Sequence, residues 1–136
     1  MKKIEALALA IARQYDILEP GSEAFITMNP GLLRSFSPDR LDVVNENGIR
    51  VFGTLQGGLR ALISNLESKC EGKTRAQTDN GGKINQQSSL NELCKTFPFI
   101  KTRKIVEYLR DALDDQALSE RTPLQYFLSP KWLIPL

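Results

Sequence analysis

The chain has no histidine among its 136 residues. That removes Ser-His and Cys-His nucleophile pairs and every His-ligated metal site, so any catalysis here would have to run on carboxylates, lysine or tyrosine. Cysteine is nearly absent too. Cys70 and Cys94 are the only thiols, and they are too far apart for a zinc or redox motif; two buried free thiols are the plainer reading and a disulfide the alternative. No run approaches the ~18 apolar residues of a membrane span. Met1-Lys2-Lys3 leads into a pattern holding Glu5, Arg13 and Asp16, a poor signal peptide, so synthesis in the cytoplasm is expected, with any exit by another route. Net charge is in short supply as well. Lys and Arg number 18 against 16 Asp and Glu, a formal +2, too mild to imply nucleic acid or an anionic membrane. No cofactor or metal is implied.

What remains is ordinary for one globular domain: 41% hydrophobic and 25% charged residues, enough chain to bury a core without staples. Ile4, Leu7, Ala8, Ile11, Tyr15 and Leu18 recur at steps of three and four, which predicts an amphipathic helix over about residues 3–16 with Tyr15 in its buried stripe. Residues 19–34 carry Pro20-Gly21-Ser22 and Asn29-Pro30-Gly31 without periodicity, a loop with room for a helical turn over residues 22–26. Such a loop is where a cleft could lie. Two β-branched runs, 41–44 and 49–52, flank Asn45-Glu46-Asn47-Gly48 and read as a small hairpin.

The second half is helical in pattern. Thr54 is an N-cap for a helix to about Lys69, with Leu55, Leu59, Leu62, Ile63 and Leu66 on one face. Gly57-Gly58 in its first turn would suit close approach of another backbone, or simple tolerance near a helix start. Residues 72–87 are polar and rich in Gly, Asn and Gln, an exposed loop made mildly basic by Lys69, Lys73 and Arg75. Ser89 and Glu92 have capping-box spacing for a short helix that Pro98 must end. A firmer helix follows over residues 102–113. Thr122-Pro123-Leu124-Gln125 repeats the capping-box spacing for a short helix into Leu128. Residues 1–128 therefore read as a single α+β, mostly α domain, and residues 129–136 as an apolar tail. Trp132, Leu133, Ile134 and Leu136 crowd that tail, which should dock on its own domain or on a partner.

The order of helix, small hairpin and helical bundle resembles the lysozyme-like fold. Pro20-Gly21-Ser22, Asn29-Pro30-Gly31 with Arg34, Gly57-Gly58-Leu59-Arg60, Lys104-Ile105-Val106-Glu107-Tyr108 and Thr122-Pro123-Leu124 are similar, in order and spacing, to phage and prophage lysozyme-like or transglycosylase-like domains. The resemblance covers about residues 4–128. It implies a domain that cuts the glycan strand of peptidoglycan, with a Glu at the end of the first helix as general acid. That Glu stands five residues before the Pro of the turn and is followed by Gly. Here the two positions hold Tyr15 and Asp16. A phenol with an ordinary pKa of ~10 holds its proton too tightly to protonate a leaving group at neutral pH.

A second departure points the same way. Where similar sequences carry Asn-Asn-Asn-Pro-Gly-Asn, this chain reads Thr27-Met28-Asn29-Pro30-Gly31-Leu32, and Asn29 then reads as a structural turn residue. Glu19 and Glu23 are the carboxylates that could stand in; Asp16 would point about 100° away around the helix. Three functions follow as expectations. The first is a domain that has lost cleavage and serves as a structural or adaptor protein of a virion or phage-like particle, with the tail as a contact. The second is an active peptidoglycan lytic enzyme with a relocated acid. The third is a non-catalytic peptidoglycan-binding module with Tyr15 under the sugar. Expression in a bacterial cytoplasm suits all three.

Overall fold

The structure, a computed structural model, describes residues 1–34, 43–73 and 84–128. Six helices are present among them: α1 (Lys3–Gln14), α2 (Glu23–Thr27), α3 (Leu55–Glu71), α4 (Leu90–Cys94), α5 (Thr102–Ala112) and α6 (Gln125–Leu128). The protein is mostly helical. Strand pairing among the described residues is limited to isolated antiparallel bridges, Val44 with Arg50, Arg34 with Ile49, and Ser89 with Pro123.

Helix α1 is the hub, packing against α3, α5 and α6. Its sequence explains why: Ala6, Ala8, Ala10 and Ala12 are buried together with Ile4, Leu7 and Ile11. A helix that is apolar on several faces belongs inside, and alanines let neighbouring helices come close at no cost in side-chain entropy. Glu5 accepts the Lys2 backbone N–H at 2.9 Å and so closes the first turn. The last turn ends on Tyr15, and Asp16 takes a left-handed conformation with φ 57°. That residue resets the register. Ile17 is buried while Leu18, expected in the apolar stripe, is 78% exposed.

Helix α2 is a single capped turn in which Ser22 Oγ accepts from Phe25 N at 3.0 Å. Helix α3 starts where expected, with Thr54 Oγ1 accepting from Gly57 N at 2.9 Å, and runs to Gly72, whose φ of 77° supplies the left-handed C-cap. Leu62 and Leu66 face the core, whereas Leu55 is exposed. The polar stretch expected to be exposed is not uniformly so. Lys69, in the last turn of α3, is buried, and Ile84 packs into the core. Residues 74–83, including Arg75, lie outside the described residues.

Ser89 and Glu92 form the expected capping box on α4, Glu92 N donating to Ser89 Oγ at 3.1 Å. The helix stops at Cys94, ahead of Pro98; Thr96 turns its hydroxyl back onto the Leu93 carbonyl at 2.7 Å. Thr102 Oγ1 donates to Asn91 Oδ1 at 2.9 Å and ties α5 to α4. The second capping box does not form. Thr122 Oγ1 accepts from Ser119 N at 2.9 Å, Leu124 N and Gln125 N donate to Ser88 and Gln86 carbonyls, and α6 begins only at Gln125. The backbone N–H that a Thr122 cap would take, that of Gln125, is already spent on the Gln86 carbonyl. Cys70 and Cys94 are both free and buried, and burial pushes each thiol up to about 12.

Candidate functional site

The region where the resemblance puts a cleft is built from the end of α1, the turn into α2, the 28–34 loop and the turn over residues 43–51. Tyr15 closes α1. Its backbone N–H donates to Ile11 and Ala12 carbonyls, and its phenol donates to the carbonyl of Pro98 at 2.7 Å, across 83 residues of chain. The ring belongs to the core cluster. Burial, with Cys94 nearby, raises the phenol further above its already high ordinary pKa. Tyr15 is thus a neutral donor fixed on a backbone carbonyl, and it offers no face on which a sugar could stack.

Asp16 is exposed, and its carbonyl accepts Ser22 Oγ at 2.7 Å. Its left-handed backbone, more than its place around a helix, separates it from Tyr15. Glu19 is exposed on the same turn and its carboxylate has no partner among the described residues. Glu23 is different. Its Oε2 accepts from Asn45 Nδ2 and Asn47 Nδ2, both at 2.9 Å. Those amides, with Arg34 nearby, hold the carboxyl below the usual carboxylate range. Glu23 is therefore ionised at neutral pH and has no proton to give, the opposite of what a glycosidic general acid requires. A groove of about 530 Å³ opens beside it, with Thr27 and Asn45 deeper and Ile26 and Val51 along the walls.

The 27–32 segment satisfies itself. Thr27 is buried and donates to the Glu23 carbonyl at 2.7 Å. Asn29 is 0% exposed; its Nδ2 donates to the Leu33 and Arg50 carbonyls and its Oδ1 accepts from Leu33 N, each at 2.9 Å. Both amide hydrogens are spent on backbone, so the side chain staples the loop to the 49–51 strand-like segment and presents nothing to a ligand. Met28 and Leu32 hold left-handed backbones, φ 51° and 49°. Long side chains adopt that region only where the surroundings enforce it. Met28 does so as the C-cap of α2, and the loop then crosses α3 closely: a Cβ on Gly58 would overlap the Met28 carbonyl oxygen and stand 3.0 Å from Pro30 Cδ, while one on Gly31 would run into Leu62 Cδ1. The glycine pair on α3 divides accordingly. Gly58 admits the loop, and Gly57 faces only Thr54 Oγ1.

Sequence reasoning brought Glu23 and the 27–32 segment to one place but missed Asn45 and Asn47, whose side chains do more than form a turn. Two amides two residues apart, opposite a capped helix start, were the available signal. It also missed Pro98, whose carbonyl carries no side-chain signature at all. Trp132, Leu133, Ile134 and Leu136 lie outside the described residues. Among the described residues no helix is long and apolar enough to cross a membrane, and no cluster of three or more Cys, Asp or Glu converges on a point where a metal ion could sit. Compared with protein-family models, curated proteins and solved structures, the chain matches none of them.

Proposed function

We propose that this chain is a lysozyme-like domain that has lost glycan cleavage and serves as a structural or adaptor component of a phage or prophage particle. One observation carries the loss of cleavage: the position that the resemblance gives to the general acid is a buried tyrosine, hydrogen-bonded to Pro98 and held protonated. Replacing an acid that must release a proton by a phenol that cannot do so at neutral pH removes the step that makes the leaving group viable. The loop beside it supports the same reading, since Asn29 has both its amide hydrogens on backbone carbonyls. Glu23 does not repair the loss, because two amide donors stabilise its charged form. The particle role rests on the resemblance to phage and prophage domains.

The test is release of soluble fragments from purified peptidoglycan, with Glu19→Gln and Glu23→Gln variants alongside. No release from any of the three proteins is expected. Release by the unmodified chain that one of the two substitutions abolishes would make that carboxylate a relocated acid and the protein a lytic enzyme.

A further inference from the structure

Apolar surface is concentrated around the groove beside Glu23. Ile26 is 67% exposed and Val51 shares its wall. Val43 pairs with Val51 through its carbonyl and is exposed as well, and Met28 and Leu55 are exposed where the loop crosses the start of α3. Acid sits among these residues: Glu23 is ionised, and Glu46 stands on the rim of the groove. Arg34, the nearest base, has its Nη1 on the Asn47 carbonyl at 2.7 Å. A groove that sets exposed Ile26 and Val51 beside two carboxylates calls for a short apolar segment carrying one cation.

The chain contains such a segment. Residues 129–136 read Ser-Pro-Lys-Trp-Leu-Ile-Pro-Leu, with Lys131 the one charge among them beside Trp132, Leu133 and Ile134. Proline at 130 and 135 fixes φ at two of the eight positions, which lowers the entropic cost of docking the segment. Within one molecule the span is short. Lys131 is three residues past Leu128, about 11 Å of fully extended chain and about the width of one helix, and α6 packs on α1 and α3 rather than on α2.

We propose that residues 129–136 of one copy dock in the groove between α2 and the 43–51 turn of a second copy, Lys131 toward Glu46 and Glu23, Trp132 and Leu133 against Ile26 and Val51. The contact joins two different surfaces, so it closes as a reciprocal exchange of tails in a dimer or repeats into a ring or a filament. This names the partner of the structural role proposed above and rests on that reading.

Trp132 is the single tryptophan, so its emission reports on the segment directly. Sedimentation velocity and Trp132 fluorescence of the full chain are measured across a concentration series. The expected result is a mass that grows with concentration and an emission maximum that moves to the blue with it. Ile26→Asp, at an exposed position, and Lys131→Glu should each weaken association at least about tenfold, the worth of one 1.4 kcal/mol contact, and Lys131→Glu combined with Glu46→Lys should recover most of it. A single monomeric mass at every concentration overturns the proposal. So does blue emission independent of concentration, which puts the segment on its own domain, and so does association that both single variants leave unchanged. Association with fragment release from peptidoglycan would keep the contact and remove the non-lytic role; a monomer that releases nothing would do the reverse.

Discussion

Replacing Gly58 by alanine should destabilise the protein although alanine is the better helix former. In isolation the change is worth about 1 kcal/mol in favour of the folded state. In this fold the added methyl group overlaps the Met28 carbonyl oxygen and lies 3.0 Å from Pro30 Cδ. A backbone oxygen cannot swing away as a side-chain terminus can, so residues 28–30 must shift as a unit. That shift strains the three 2.9 Å bonds of Asn29, which sits between them. Overpacking costs about 1–3 kcal/mol, and weakening hydrogen bonds at a buried amide adds about 1–2 kcal/mol. Against the propensity gain, the net loss is about 1–4 kcal/mol, or roughly 4–14 °C in Tm for a domain of this size. Gly57→Ala is the internal control. Its methyl group meets only Thr54 Oγ1 at 3.1 Å, the hydroxyl that also accepts the Gly57 N–H as the helix cap, so its stability should stay within about 1 kcal/mol of the unmodified chain. Urea titrations and thermal scans of the three proteins decide it. A Gly58→Ala protein as stable as Gly57→Ala, or more so, would refute the crossing of the 28–30 loop over α3.

Tyr15→Phe keeps the ring and strands the Pro98 carbonyl, so it should cost about 1–2 kcal/mol by denaturant titration with the circular dichroism spectrum unchanged. Asn29→Ala removes three backbone bonds at a fully buried position and should cost about 3 kcal/mol or more; a loss below 1 kcal/mol would mean the loop is held by packing alone. Lys69 is 7% exposed, bonded to Thr96 Oγ1 at 3.0 Å and stacked 4.0 Å over the Phe97 ring, and burial pulls its ammonium down to about 8 from 10.5. Between those two pH values the unfolded chain binds the extra proton, so this residue contributes stability that rises with pH, by up to about 3 kcal/mol; subtracting the curve for Lys69→Met should isolate it. Cys70 and Cys94 act in the other direction. Their folded values near 12 exceed the unfolded 9, so their contribution is intact below pH 9 and is lost as the pH climbs toward 12. Unfolding midpoints of Cys70→Ala measured over that range should fall less steeply than those of the unmodified chain.

The helices were legible wherever apolar period and local capping agreed. Thr54 and Ser89 each cap as their sequence context implies, because an N-cap bond spans three residues and needs nothing from the rest of the fold. Thr122 shows the limit of that reasoning. Its hydroxyl had a nearer use on Ser119 N, and pairing of residues 123–125 with 86–89 competed with the helix. Leu18 shows another, since one left-handed residue at Asp16 turned the stripe over and buried Ile17 instead. Lys69 read as part of a solvated basic loop but lies under Phe97, a contact between segments 28 residues apart that no local pattern encodes. At the candidate site, residue types were legible and pairings were not. Glu23 could be named from its place on the turn, but its ionised state depends on Asn45 and Asn47, and the immobility of Tyr15 depends on a backbone carbonyl 83 residues away.

The most direct test of the central claim is the product analysis of purified peptidoglycan incubated with the unmodified protein at neutral pH. A phenol locked on Pro98 and a Glu23 carboxylate whose charged form two amides stabilise leave no proton donor for the glycosidic oxygen there, so no soluble glycan fragments should form. Fragments accumulating with time and with protein concentration would contradict the account and show that a proton donor survives in this fold.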